Sequence, residues 1–156
     1  MIVVVMGVSG AGKTTIGRAL AEALGWPFVE ADDLHPQANV DKMRRGEPLD
    51  DADRAPWLAR VADQMRTLGD GVVACSALKK AYRDRLRVRP DVRFVLLDVP
   101  QELLQARLAQ RRGHYMPPSL LASQLATLER TEELVVVDGA PPIDAIVAAI
   151  RTALAV

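Results

Sequence analysis

Apolar residues occur along the chain in five short runs, and each run is bounded by glycine, proline or polar residues. The runs cover residues 2–6, 27–30, 71–75, 92–98 and 134–138. Nearly continuous apolar segments of this length, rich in β-branched residues, are typical of parallel strands buried on both faces. The pattern therefore predicts a five-stranded parallel sheet.

Between these runs, apolar residues recur with the period of a helix. In residues 13–24, for example, Ile16, Leu20 and Ala23 share one face, and Gly25 follows as a C-cap. Helices are predicted over residues 13–24, 56–68, 79–88, 100–112, 119–130 and 143–154, with a shorter one at 40–44 in a polar stretch. Strands that alternate with helices imply an α/β fold, doubly wound, with helices on both faces of the sheet. A length of 156 residues fits one domain.

Charge and cysteine content restrict the partners and the compartment. Lys plus Arg total 20 and Asp plus Glu total 20, so the net charge is zero and no global field attracts nucleic acid or an acidic membrane. Cys75 is the single cysteine, which excludes an intrachain disulfide and suits a reducing compartment. The first apolar run is too short for a membrane span or a signal sequence. We expect a cytoplasmic protein that binds neither nucleic acid nor membrane.

One motif carries specific chemistry. Gly7-Val8-Ser9-Gly10-Ala11-Gly12-Lys13-Thr14 matches G-x-x-x-x-G-K-[ST] and lies between a predicted strand and a predicted helix. The glycines allow the backbone N–H groups to approach a phosphate, Lys13 is expected at the β/γ oxygens, and the Thr14 hydroxyl is expected on Mg²⁺. These eight residues and the adjacent Thr15 form the predicted nucleotide site. The alternative is a glycine-rich turn with a chance Lys-Thr pair.

The class of P-loop protein can be narrowed from what surrounds the motif. Asn39 is the only asparagine and Val40 follows it, so no Asn-Lys-x-Asp guanine signature exists, and no Asp-x-x-Gly occurs. These absences exclude a GTPase switch. Asp98 and Asp138 end apolar strands and are possible magnesium residues, but we interpret them as strand-end caps, because the third strand is the usual neighbour of the first in kinases.

Acidic residues follow the second predicted strand, where ligands of open α/β folds bind. Glu30 and Asp32 lie there, and a carboxylate beside the phosphate loop can accept the proton of an attacking hydroxyl or hold a magnesium-bound water. By strand alternation, Asp33 should point away from Asp32. The alternative is a cluster that caps the following helix.

The sequence resembles gluconate kinases of the short P-loop type. The similar stretches are MGVSGAGKT at 6–14, DDLHP at 32–36 with Asn39 and Lys42-Met43, GEPL at 46–49, DADRAPWL at 51–58, ACSALK at 74–79, YRDRL at 82–86 and RGHYM at 112–116. They span about 130 of the 156 residues, in the order and spacing of that family. The resemblance implies Mg²⁺-assisted phosphoryl transfer from ATP to the 6-hydroxyl of D-gluconate, and a homodimer.

The resemblance also implies roles for single residues on the acceptor side. Asp32 takes the position of the acceptor carboxylate, and Glu30 that of a second acid near magnesium. Gluconate needs a cation for its carboxylate, for which Arg54, Lys79 and Arg83 are candidates in the matching stretches; Lys79 and Arg83 are spaced i,i+4 on one predicted helix. Solvated helix charges are the alternative. His35 is a candidate for a substrate hydroxyl or for a turn cap, whereas Trp57 is interpreted as core.

A break before Pro117 suggests a lid over about residues 107–118, similar to the mobile lid of small kinases. Arg107 and Arg111 share a predicted helix face and are candidates for phosphate or adenine contacts, with Arg111 also assigned a catalytic role. A solvated helix face is the alternative. In related folds adenine packs between the lid and the loop after the last strand, here residues 138–142, although this chain has a shorter connection after Gln124 than the family.

Two other functions remain open at this point. A kinase for another sugar acid or polyol would use the same loop and carboxylates. A regulatory nucleotide-binding protein without catalysis belongs to a different class, and the retention of Lys13, Thr14 and Asp32 argues against it.

Overall fold

A parallel five-stranded sheet forms the centre of the protein. The computed structural model describes residues 1–110 and 118–156. The strands are β1 (Ile2–Met6), β2 (Phe28–Glu30), β3 (Gly71–Ala74), β4 (Val92–Asp98) and β5 (Val135–Asp138). All pairings are parallel and the order is β2-β3-β1-β4-β5. The predicted sheet is confirmed, with each strand within two residues of its expected bounds.

Helices connect the strands. They are α1 (Lys13–Leu24), α2 (Gln37–Arg44), α3 (Asp51–Arg66), α4 (Lys80–Leu86), α5 (Gln101–Ala109), α6 (Pro118–Thr127) and α7 (Ile143–Leu154), with a 3₁₀ helix at Ala31–Leu34. In the part of the chain that the structure describes, no helix is long and apolar enough to cross a bilayer.

Successive side chains of β1 point to opposite faces of the sheet and pack into two apolar layers. Val3 and Val5 pack with Leu20 of α1 and Ile150 of α7 on one face. Ile2, Val4 and Met6 pack on the other face with residues of α3 and α4, including Leu58 and Leu86. β1 is therefore buried on both sides, as its uninterrupted apolar sequence predicted.

The register brings three strand ends together. Val5 pairs with Ala74 across β1 and β3, and Glu30 pairs with Ala74 across β2 and β3. The loops that follow β1, β3 and β2 consequently leave the same edge of the sheet side by side. This edge is where ligands of open parallel sheets bind.

One predicted helix boundary is wrong for a clear reason. Pro56 indicated a helix start, but α3 begins five residues earlier, at Asp51. The Asp50 side chain accepts from the N–H of Asp53, and the Asp53 side chain accepts from the N–H of Asp50. This capping box starts the helix, and Pro56 is accommodated inside it. The short helix predicted at 40–44 likewise begins earlier, at Gln37 after Pro36.

Candidate active site

The phosphate loop owes its shape to glycines with positive φ. Gly10 has φ +86° and Gly12 has φ +95°, in the region that side chains with a Cβ disfavour. A Cβ on Gly10 would also lie 3.2 Å from the Leu108 side chain. Gly12 occupies the N-cap of α1, so the N-terminus of that helix begins at Lys13, within the loop. The backbone therefore forms the anion-binding turn that the motif predicts.

Lys13 bends back over the loop. Its Nζ donates to the carbonyl of Val8 at 3.2 Å, which holds the ammonium group across the turn. A cation in this place suits the β/γ oxygens of a nucleotide, so the nucleotide contact predicted for Lys13 stays a prediction that the geometry permits.

Thr14 and Glu30 provide adjacent oxygen atoms. The Thr14 hydroxyl donates to Oε2 of Glu30 at 2.5 Å. A hydroxyl beside a carboxylate fits Mg²⁺, which takes one or two protein oxygens and completes its shell with waters and phosphates. The residues that would hold the ion are Thr14, as predicted, and Glu30, whose assignment as a second acid near magnesium gains support from this contact.

A cleft lies beside the phosphate loop. It has a volume of about 270 Å³, and its wall includes Thr15, Ile16, Arg107, Pro141, Ile143 and Ile146. Arg107 donates from Nη1 to the Gly10 carbonyl at 3.2 Å and from Nη2 to the Gly139 carbonyl at 3.0 Å. This half-buried arginine thus joins the phosphate loop to the loop after β5, and an apolar floor with polar edges suits a nucleobase.

The predicted lid is described only at its start. Arg107 belongs to α5, whose Leu104 and Leu108 are buried in the core, so this part packs on the sheet and is not an exposed lid face. Arg111, together with the rest of the lid up to residue 117, lies outside the described residues.

Gln124 was missed by the sequence reasoning. Its Oε1 accepts from the N–H of Ser9 at 2.8 Å, although the two residues are 115 positions apart. The contact ties α6 to the phosphate loop, and no local sequence signal predicts it.

The acceptor-side acids lie in a 3₁₀ helix. Oε1 of Glu30 accepts from the N–H of Asp32 at 3.4 Å, and Trp57 Nε1 donates to the Ala31 carbonyl at 2.7 Å. The prediction that Asp32 and Asp33 point apart assumed that both lie in a strand. This assumption is wrong, because Glu30 ends the strand and caps the 3₁₀ helix that contains both aspartates. Consecutive 3₁₀ residues still point in different directions, about 120° apart.

His35 is held flat against Trp57. The rings stack with centroids 4.4 Å apart and an interplanar angle of 12°. Asn39 Nδ2 lies 3.2 Å from His35 Nδ1 and donates to the Asp53 carbonyl at 2.9 Å. Because Nδ2 only donates, Nδ1 accepts, and a neutral His35 carries its proton on Nε2. Burial lowers the pKa of His35, opposed by the charge of Asp32 and assisted by that of Arg54, which favours this neutral form.

Arg54 and Lys79 converge on Tyr82. Arg54 Nη1 donates to the Tyr82 hydroxyl at 3.3 Å, and Lys79 Nζ lies 5.5 Å from the centre of the same ring. Asp51 accepts from the Tyr82 hydroxyl and from Lys79 Nζ at 3.2 Å. The hydrogen bond from Tyr82, followed by that from Lys79, holds the pKa of Asp51 below its ordinary value. Asp51 and Tyr82 were missed as site residues, although Tyr82 follows Lys79 at helical i,i+3 spacing.

Arg83 does not join this cluster. It is 1% exposed, and its guanidinium is bonded to backbone carbonyls and to Glu133. A side chain with all its donors engaged inside the protein cannot receive a substrate carboxylate. The predicted substrate role of Arg83 is therefore withdrawn.

The two strand-end aspartates are also engaged elsewhere. Asp98 pairs with Arg130 at 2.8 Å, and Asp138 accepts from the N–H of Ala140 at 3.0 Å. The Asp138 contact agrees with its interpretation as a strand-end cap, whereas Asp98 forms an exposed ion pair.

The sheet order, the phosphate loop and the neighbouring acids define the class: this is a P-loop kinase.

A family model described as an AAA domain matches residues 2–131. Gluconokinase of Gluconobacter oxydans (strain 621H) is 56% identical over 131 residues, which cover 81% of this chain and 74% of that protein. Thermosensitive gluconokinase of Escherichia coli (strain K12) is 48% identical over 134 residues, with 83% and 72% covered. The crystal structure of a gluconokinase from Sinorhizobium meliloti 1021 superposes with a TM-score of 0.90 at 47% identity, with 98% of this chain and 90% of that chain covered. The chain belongs to the gluconokinase family.

Proposed function

We propose that the protein transfers the γ-phosphoryl group of ATP to the 6-hydroxyl of D-gluconate and forms 6-phosphogluconate, with Mg²⁺. The observation that carries the proposal is the position of the Thr14–Glu30 pair. It lies between a phosphate loop and a 3₁₀ turn that presents Asp32. The elements proposed to bind the phosphoryl donor and the phosphoryl acceptor thus meet at one edge of the sheet. The 56% identity to a gluconokinase supports gluconate as the acceptor.

The nucleotide half of the reaction depends on Gly7–Thr14. Backbone N–H groups of the loop and the N-terminus of α1 bind the phosphates, and Lys13 stabilises the charge that develops on the β/γ oxygens. Thr14 and Glu30 would hold Mg²⁺, which would supply positive charge to neutralise the phosphate oxygens. The cleft beside Arg107 and Ile143 suits the adenine ring.

The acceptor half must recognise an anion that carries hydroxyl groups. Arg54 and Lys79 supply two positive charges, and Asp51 supplies one negative charge, so the cluster around Tyr82 keeps one net positive charge. That charge matches one carboxylate. His35, with its proton on Nε2, is a donor for a hydroxyl oxygen along the sugar-acid chain.

Asp32 is assigned to the reacting hydroxyl. An ionised carboxylate only accepts hydrogen bonds, so it orients the 6-hydroxyl with its oxygen lone pair towards phosphorus. It takes up the proton as the new P–O bond forms. The exposed position of Asp32 in the 3₁₀ turn leaves its side chain accessible to a substrate.

The test is ADP release coupled to a spectrophotometric readout, with a panel of acceptors. We expect D-gluconate to exceed other aldonic acids, aldoses, shikimate and AMP. Another acceptor with a tenfold higher kcat/KM would replace gluconate as the substrate. Absence of acceptor-dependent ADP release would favour a regulatory nucleotide-binding protein.

Three broader expectations remain part of the proposal. We expect a homodimer, which sedimentation tests, and a cytoplasmic location, which cell fractionation tests. We also expect a single domain, which should unfold in one calorimetric transition.

A further inference from the structure

The guanidinium of Arg83 is bonded at all five of its N–H groups. Nη1 donates to the carbonyls of Ala77 at 2.8 Å and Leu78 at 3.1 Å. Nη2 donates to the Glu129 carbonyl at 2.7 Å and to Thr131 Oγ1 at 3.0 Å, and Nε donates to Glu133 at 3.3 Å. A planar fork with five fixed donors can hold two chain segments in one arrangement, which a lysine cannot do.

One of these segments, residues 75–79, is the loop from β3 to α4, and its backbone is unusual. Ala77 has φ +46°, a left-handed conformation that residues with a Cβ disfavour. Arg83 donates to the carbonyls of Ala77 and Leu78. These bonds hold the loop at the residue whose backbone conformation is least favourable by itself.

The other segment is the connection between α6 and β5. Besides accepting from Arg83, Glu129 donates its N–H to the Leu78 carbonyl at 2.8 Å. The Glu129 side chain accepts from the N–H of Lys80 at 2.9 Å. The loop after β3 is therefore held by hydrogen bonds from both Arg83 and Glu129.

The clamped loop runs through the centre of the proposed site. β3 lies between β1 and β2, so the loop starts between the phosphate loop and Asp32. The charges of Asp32, Lys13 and Glu30 all act on the thiol of Cys75, the first residue of the loop. The loop ends at Lys79, which belongs to the cluster around Tyr82.

We infer that Arg83 is a positioning residue for the phosphoryl acceptor, because it fixes the β3–α4 loop and so places Lys79 relative to Asp32. It touches neither substrate itself. The inference deepens the proposed function and rests on it for the assignment of this face to the acceptor. Loss of the clamp should change acceptor binding far more than nucleotide binding, since the residues of the phosphate loop and of the nucleotide cleft belong to other segments, and α6 contacts the phosphate loop through the separate bond between Gln124 and Ser9.

The experiment compares Arg83→Lys with Arg89→Lys. Arg89 is a matched control: it also connects two backbone segments, through the carbonyls of Leu68 and Gly69 and through Asp91, but at the amino ends of the strands. We expect both variants to lower Tm. Only Arg83→Lys should raise KM for the acceptor, by roughly 10- to 100-fold, with KM for ATP within about twofold of the parent.

A milder variant covers the case in which Arg83→Lys does not fold. Thr131→Val removes one acceptor and leaves four of the five Arg83 bonds, and we expect a smaller rise in acceptor KM of the same selectivity. Acceptor and ATP KM values that rise together, or an unchanged acceptor KM with a lower Tm, would overturn the inference and leave Arg83 a purely structural residue.

Failure of the proposed function is separable from failure of this inference. The parent enzyme alone decides whether gluconate is the acceptor. The Arg83 comparison then uses whichever acceptor the parent phosphorylates, so a different acceptor changes the first result without deciding the second.

Discussion

The hydroxyl of Thr14 donates to the carboxylate of Glu30 at 2.5 Å and so connects the first turn after the phosphate loop to the end of β2. The pair spans only 16 positions in the chain but crosses β3, which lies between β1 and β2 in the sheet. The hydroxyl proposed to bind Mg²⁺ is thereby held next to the acid that precedes the turn proposed to bind the acceptor. The two halves of the proposed reaction share this contact.

Glu30→Gln should weaken the response to Mg²⁺. Glutamine keeps an oxygen that can accept from Thr14 but removes the charge, so we expect the Mg²⁺ concentration for half-maximal activity to rise by roughly 10- to 100-fold. Titration of kcat against free Mg²⁺ at saturating ATP measures this. Asp98→Asn is the control, because Asp98 pairs with Arg130 and should give the parent titration. Equal titrations for all three proteins would remove Glu30 from the metal site.

Lys13→Ala should lower kcat by about 10²- to 10³-fold, because the cation acts on charge that grows in the transition state. The fold should persist, since the glycines with positive φ still shape the loop. Steady-state kinetics and a thermal melt check both parts. Lys80→Ala, which removes an exposed lysine paired with Asp84, is the matched control. Turnover of Lys13→Ala within threefold of the parent would contradict the role.

Arg107→Ala should raise KM for ATP and also lower stability slightly. The sequence placed Arg107 in a lid, with a solvated helix face as the alternative, but Arg107 is half-buried and donates to two carbonyls. Loss of these bonds should lower the free energy of unfolding by about 1 kcal/mol. The substitution also removes one of the side chains that line the nucleotide cleft. Arg93→Ala is the control, since Arg93 also donates to two carbonyls but at the other end of β4. An unchanged KM for ATP in Arg107→Ala would restrict Arg107 to a structural role.

The elements and the phosphate loop could be predicted because local patterns carry them. β1 is apolar at every position, and the eight residues of the loop are contiguous. The start of α3 was mislocated because Pro56 is a conspicuous signal, whereas the Asp50–Asp53 box depends on two ordinary aspartates.

The role of Arg83 could not be predicted in the same way. Its i,i+4 spacing to Lys79 is the pattern that a pair of substrate cations would show. Three of its partners, Glu129, Thr131 and Glu133, lie 46 to 50 positions away, and only the tertiary fold brings them near. The Ser9–Gln124 contact was missed for the same reason.

Cys75 should resist alkylation in the native protein. Burial raises the pKa of its thiol from the ordinary 9.0 to about 12, so the thiolate fraction at pH 8 falls by about 10³-fold. The unfolded thiol ionises near pH 9, whereas the buried thiol stays protonated up to about pH 12. The neutral thiol therefore leaves the free energy of unfolding at its full value below pH 9, and that free energy falls as the pH rises towards 12. Iodoacetamide labelling at pH 8, with and without urea, measures the difference. Cys75→Ser provides the blank, and rapid labelling of the native protein would contradict the burial.

Asp32→Asn should lower kcat far more than it weakens gluconate binding. Asparagine has the same size and can still hydrogen-bond the hydroxyl, but it cannot take up the proton or act as an acceptor-only group. General-base assistance is worth ~10²–10⁴ in rate, and phosphoryl transfer depends mainly on positioning, so we expect a loss near 10². The measurements are kcat from coupled ADP release and the Kd of gluconate from calorimetry.

Asp33→Asn is the matched control for Asp32→Asn, because the two aspartates are adjacent in the same 3₁₀ turn and carry the same charge. The charge of Asp32 acts on the pKa values of both His35 and Cys75, which is consistent with a carboxylate on the side of the turn nearer to these two residues. Asp33, about 120° further round, should tolerate the change and keep the parent kcat. Loss of activity in Asp33→Asn alone would move the acceptor carboxylate by one residue. If both variants remained active, neither aspartate would be essential, and Glu30 would become the candidate for the base, because it is the acid that links this turn to Thr14.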